Sequence, residues 1–186
     1  DKVYERKIVY TLLSDKPPKL YKYEIVNIFP HDIEAYTQGL EFDGDHLYES
    51  TGLNGKSTLR KVNYETGEII EIKKLDDAFF GEGITLINNR IIQLTWKSLK
   101  GFIYKKTNLE MIKSFPYFES KEGWGLCNDG TKLYKSDGSE NIWILNPTDF
   151  SEEKRIQVVT NKSALKKINE LEKITNNQFG FYSGIE

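Results

Sequence analysis

An all-β fold assembled from repeated four-stranded units follows from three features of the sequence: a motif that recurs every 42 to 45 residues, short alternating runs separated by turn residues, and an aromatic share of 13%. The recurrence is the most informative, because a fixed period of this size marks a stack of equivalent supersecondary units. Gln38-Gly39-Leu40-Glu41-Phe42-Asp43-Gly44-Asp45-His46-Leu47-Tyr48 aligns with the run from Glu82 to Ile92 and again with the run from Trp124 to Tyr134. A fainter fourth copy opens at Asn169-Glu170-Leu171-Glu172. Each copy reads as strand, polar turn, strand, and a spacing of roughly 40 to 50 residues fits one blade of a β-propeller.

The rest of each period agrees. A third strand follows in each full copy (Thr58 to Val62, Gly101 to Tyr104, Asn141 to Leu145), then a turn such as Glu65-Thr66-Gly67 or Asn146-Pro147-Thr148. Fourth strands are expected over Glu68 to Lys73, Met111 to Phe115 and Ile156 to Val159. Tyr21 to Phe29 has the same fourth-strand character ahead of the first copy, as an outer strand closing the ring would. A helix-like pattern occurs only over Lys162 to Glu172. Residues 1–20 lie outside the repeat and end on the break Lys16-Pro17-Pro18-Lys19, so they are expected to form an arm or the remnant of an upstream segment, with the propeller domain over residues 21–186. The count is three full blades, the opening of a fourth and one outer strand, which is less chain than a closed ring requires, so these 186 residues alone are not expected to make a competent site.

Composition narrows the function. With 26 Lys+Arg against 28 Asp+Glu the net charge is −2, so there is no basic field for nucleic acid. Two histidines and one cysteine, scattered along the chain, supply no recognisable zinc set and no intrachain disulfide. The most apolar early run, Ile8 to Leu13, is far shorter than the roughly 20 residues of a membrane span. Without a signal-like segment, the sequence implies either a cytosolic protein or a targeting segment already removed.

Equivalent positions in propeller repeats form a ring around the central channel. The residue before each Gly-Leu or Gly-Ile pair is Gln38, Glu82 or Trp124, with Asn169 in the fourth copy, and two positions earlier stand Tyr36, Phe80 and Glu122. Together they define a concave, aromatic-lined pocket with few polar groups. Gly39, Gly83 and Gly125 are explained by close approach of inner strands. Glu82 is harder to assign to structure, since an unpaired buried carboxylate is costly; a functional role competes there with a structural salt bridge. Trp96 ends a second strand, where it either packs or reaches the pocket mouth. Trp143 reads as core and His31 and His46 as structural or solvent-facing. The runs Glu152-Glu153-Lys154-Arg155 and Lys166-Lys167 read as solvated.

The ordered motifs Phe29-Pro30-His31-Asp32, Ala35-Tyr36-Thr37-Gln38-Gly39-Leu40, Tyr48-Glu49-Ser50-Thr51-Gly52-Leu53, Phe80-Gly81-Glu82-Gly83-Ile84-Thr85, Leu94-Thr95-Trp96-Lys97, Glu122-Gly123-Trp124-Gly125-Leu126, Ser136-Asp137-Gly138-Ser139 and Asn169-Glu170-Leu171-Glu172 resemble the plant and bacterial type of glutaminyl-peptide cyclotransferase. The resemblance spans about Tyr21 to Glu172. It implies a five-bladed propeller that uses no cofactor or metal and acts in the periplasm or outside the cell on peptides or proteins with an N-terminal glutamine. It further implies that Glu82 is the catalytic glutamate, that Gln38 and Asn169 position the substrate, and that Tyr36, Phe80, Trp96 and Trp124 form the aromatic pocket. The sequence departs from the family over Phe179 to Ser183, where Ser183 stands in place of an expected Trp, and in lacking a last blade that carries a pocket lysine. Oligomeric state is not implied. Two other readings stay open on the residues: a propeller that binds peptides or glycans without turnover, and a five-bladed glycoside hydrolase, for which Glu122 would have to be the second carboxylate.

Overall fold

The computed structural model describes residues 5–8, 10–175 and 178–183. Every regular element among them is a β-strand. The first blade holds β1 (Thr37–Asp43), β2 (His46–Thr51), β3 (Thr58–Val62) and β4 (Ile69–Lys74). The second holds β5 (Gly81–Ile87), β6 (Arg90–Thr95), β7 (Lys100–Lys105) and β8 (Met111–Pro116), and the third β9 (Leu126–Asn128), β10 (Leu133–Ser136), β11 (Asn141–Leu145) and β12 (Glu152–Gln157). A hairpin of β13 (Ile168–Thr175) and β14 (Gln178–Ser183) opens a fourth. In every blade the strands pair antiparallel in sequence order, the meander that tight turns dictate. The inner strands β1, β5, β9 and β13 lie beside one another around the channel.

The core lies between blades, because each sheet must cover both faces. Tyr48, Leu59, Ile84, Ile91, Phe102 and Leu109 cluster where the first blade meets the second. Ile92, Leu94, Ile103, Phe115, Leu126, Leu133, Trp143 and Phe150 do so between the second and third. Cys127, Ile168 and Leu171 begin the next interface. Middle strands buried on both faces therefore carry continuous runs such as Arg90-Ile91-Ile92-Gln93-Leu94-Thr95 rather than strict alternation. Outer strands β4, β8 and β12 are mostly exposed.

The glycine column has the steric origin that the repeat suggests. A Cβ on Gly39 would sit 2.7 Å from the amide of Ile84, one on Gly83 2.4 Å from the carbonyl of Trp124, and one on Gly125 2.2 Å from the carbonyl of Asn169. Successive inner strands thus touch backbone to backbone, which only glycine permits.

Four expectations need correction. Tyr21 to Phe29 pairs with no strand among the described residues, and Tyr23, Val26 and Ile28 are more than 80% exposed. The helix-like stretch 162–172 is a loop followed by the start of β13, where Ile168 and Leu171, three residues apart, both reach a blade interface because the β13–β14 register shifts between them. The third outer strand covers Glu152–Gln157 instead of Ile156 to Val159. Consequently Glu152-Glu153-Lys154-Arg155 is strand, and the Glu152 side chain is buried against Lys135. The other solvated run agrees, with Lys166 and Lys167 exposed. The N-terminal segment touches the propeller through the Ser14 amide, which donates to the carbonyl of Thr160 at 3.1 Å.

Candidate active site

The seven residues to which the resemblance gives roles line one cavity of about 260 Å³, Tyr36, Gln38, Phe80, Glu82, Trp96, Trp124 and Asn169, whereas Glu122, which the repeat also placed in the pocket, is not among its lining residues. Inner strands supply Gln38, Glu82 and Asn169, the segments that enter inner strands supply Tyr36, Phe80 and Trp124, and the residue that follows β6 is Trp96. The aromatic wall is continuous. Tyr36 meets Phe80 edge-on at 6.1 Å between ring centres, and Phe80 meets Trp96 at 5.5 Å. Beyond Trp96 the wall is joined to Trp124 through Glu122, whose Oε2 accepts both indole N–H groups, at 2.6 and 2.8 Å.

Two glycines that the sequence reading did not single out back this wall. A Cβ on Gly52 would lie 2.4 Å from the ring of Phe80 and 3.1 Å from Cγ of Gln38, and one on Gly138 would lie 2.5 Å from the indole of Trp124. Gly138 also has φ +76°, a left-handed conformation that favours glycine. Both stand one residue past the Thr51, Thr95 and Asp137 column of the repeat, where the second blade has Trp96; the alignment held this signal.

Glu82 is only 6% exposed, and among the described residues no hydrogen-bond or ion-pair partner meets its carboxyl group. Burial, helped by the negative charges of Glu170 and Glu122, pushes it up to about 8 from the usual carboxylate value. Glu170 occupies the glycine position of the fourth copy, and burial with Glu172 and Glu41 nearby likewise raises it to about 8. A second cavity of about 330 Å³ between β1 and β13 shares Gln38 and Asn169 with the first and extends it past Glu170 and Glu172.

His31 is held away from this cavity. Its Nε2 lies 2.9 Å from Glu49, whose carboxylate also accepts from Thr37 Oγ1 at 2.6 Å. That arrangement fits the structural assignment, and it anchors the residue between Tyr36 and Gln38.

Fold and pocket together define a β-propeller with an aromatic-walled cavity that holds a carboxyl group without a partner among the described residues. A family model described as glutamine cyclotransferase matches residues 4–180, and the chain belongs to that family. It is 40% identical over 163 residues to a glutaminyl-peptide cyclotransferase of Arabidopsis thaliana, covering 87% of this chain and 51% of the relative. The crystal structure of Myxococcus xanthus glutaminyl cyclase superposes with a TM-score of 0.76 at 31% identity, over 86% of this chain and 66% of that one. The WD40 repeats of RRP9 match at a TM-score of 0.58 and 11% identity, over 83% of this chain and 47% of theirs, which is a likeness of fold alone. The chain thus spans about half the length of the curated relative it matches.

Proposed function

We propose that this chain carries the catalytic face of a glutaminyl-peptide cyclotransferase, closing an N-terminal glutamine into pyroglutamate with release of ammonia. The observation that carries the reading is the largely buried carboxyl group of Glu82, which meets no hydrogen-bond or ion-pair partner among the described residues and is raised to about 8 in a pocket lined by four aromatic rings, Gln38 and Asn169. A peptide α-amine titrates at about 7.7–8.0, so proton exchange between it and Glu82 is nearly balanced.

In the reaction the α-nitrogen attacks the γ-carboxamide carbon of the same residue, forming the ring C–N bond as the bond to the amide nitrogen breaks. Because the attack is intramolecular, the protein's tasks are to fold the side chain into a near-attack conformer and to move protons. Glu82 accepts the proton released by the attacking amine and passes it to the departing ammonia. The amides of Gln38 and Asn169 face the same cavity and hold the carboxamide and its developing negative oxygen. Tyr36, Phe80, Trp96 and Trp124 enclose the methylenes and exclude water.

A glycosidase would need Glu122 as its second carboxylate, but one Glu122 oxygen is already committed to two indoles. A pocket that only binds has no use for the unneutralised Glu82. The reading extends to a periplasmic or extracellular location, a five-bladed ring completed by residues beyond these, and a propeller domain that starts near residue 21; cell fractionation and limited proteolysis test the first and last. The activity is tested by incubating the protein with a Gln-initiated peptide and with a panel of aryl glycosides. Ammonia release with loss of the free N-terminus is expected from the first alone, at a rate unchanged by EDTA. Glycoside cleavage, or EDTA inhibition reversed by zinc, would reject the mechanism.

A further inference from the structure

Glu122 lies at the edge of the pocket, in the segment between the second and third blades, and its carboxylate oxygen Oε2 receives both wall tryptophans. We propose that Glu122 is a positioning residue: one oxygen clamps the indoles of Trp96 and Trp124, and so sets the width of the slot in which the substrate side chain must fold. The inference rests on the cyclotransferase reading for what occupies the slot, though not for the clamp itself.

Four observations support it. Trp96 follows β6 of the second blade and Trp124 precedes β9 of the third, so the shared oxygen ties two blades together at the pocket rim. Each indole is also held on another side, Trp96 beneath the Lys97 ammonium at 3.8 Å from the ring centre and Trp124 against Gly138. Backbone hydrogen bonds lock the same corner: the Trp96 amide donates to the carbonyl of Phe80, and the Gly123 amide donates to the carbonyl of Trp96. Finally, an indole has one donor, and both donors are spent on Glu122. The two tryptophans therefore present faces to the substrate and make no hydrogen bond to it.

Bonds to an ionised acceptor are stronger and shorter than neutral ones, so the clamp is firmest with a carboxylate at this position. Glu122→Gln keeps an acceptor oxygen and removes the charge. Glu122→Leu removes both while keeping bulk.

The full chain has three tryptophans, which gives three indole N–H resonances. Trp143 is an internal control, because its indole donates to Asp137 at 2.7 Å and not to Glu122. In Glu122→Leu the Trp96 and Trp124 signals should move upfield while that of Trp143 stays; in Glu122→Gln they should move less. With a Gln-initiated peptide, kcat/KM of the Leu variant should fall by ~10-fold or more, and the Gln variant should recover most of that loss. If the Leu variant does not fold, the Gln variant decides by itself, since its two indole signals must still shift relative to wild type. Two unmoved indole signals, or displaced indoles with kcat/KM unchanged, would overturn the proposal. Failure of the wild-type protein to cyclise glutamine would count against the activity and leave the indole result to judge the clamp.

Discussion

Glu82 and Glu152 are both buried glutamates, and they titrate in opposite directions. Burial alone would raise Glu152. Three donors, the Ser120 hydroxyl and the backbone amides of Ser120 and Glu119, together with the charge of Lys135, outweigh it and hold Glu152 below its ordinary value. Lys135 is wholly buried, with its ammonium 3.2 Å from Glu152 and 3.4 Å from the ring centre of Tyr117, and burial brings it down to about 8. Glu82 has none of this. Burial acts on it unopposed, the charges that add to it are the carboxylates of Glu170 and Glu122, and it is pushed up to about 8. Burial therefore does not separate a structural acid from a reactive one; the set of donors around it does.

The comparison can be broken most sharply at the paired site. Lys135→Met should destabilise the fold by ~3–5 kcal/mol, because it strands a buried carboxylate, while Lys135→Met combined with Glu152→Gln should recover much of the loss. Urea unfolding of the single and double variants checks this. Equal stability of Lys135→Met and wild type would mean that Ser120 and the two amides suffice.

At the unpaired site the sign reverses. A carboxyl group whose folded value, about 8, exceeds its usual 4.5 favours folding fully below pH 4.5, and that contribution drains away as pH rises towards 8. Glu82→Gln should therefore melt near the wild-type temperature at pH 4.5 and above it at pH 8.5. A pH-independent difference would show that Glu82 ionises normally in the folded protein.

The smallest effect concerns the neighbour that weighs most among the charges on Glu82. Removing that charge with Glu170→Gln should lower the Glu82 value and move the acid limb of the kcat/KM profile to lower pH, with little change in the plateau. An unmoved limb would assign it to the substrate amine.

Much of this was legible in the sequence because propeller repeats turn a sequence column into a spatial ring. The repeat alone places Gln38, Glu82, Trp124 and Asn169 together and gives the glycines beside the first three their steric reason. The buried pair was not legible. Glu152 opens a run of four charged residues on an outer strand, a pattern that usually faces water, and its partner lies across the blade on β10. A hint did exist: Glu49, Gln93 and Lys135 occupy one column of the repeat, and all three are buried polar groups that meet polar partners. Tyr21 to Phe29 was misread for a different reason. Its alternation is that of a strand, but strand structure requires an edge to pair with, and periodicity alone carries no information about that partner.

The central claim, that Glu82 moves the proton in glutamine cyclisation, is tested most directly by the rate at which Glu82→Gln converts a Gln-initiated peptide. A fall of ~10²–10⁴-fold in kcat, with peptide binding preserved and a melting temperature at or above that of wild type, is the predicted result. Retention of more than about a tenth of the wild-type rate would contradict it and place the proton transfer on another group.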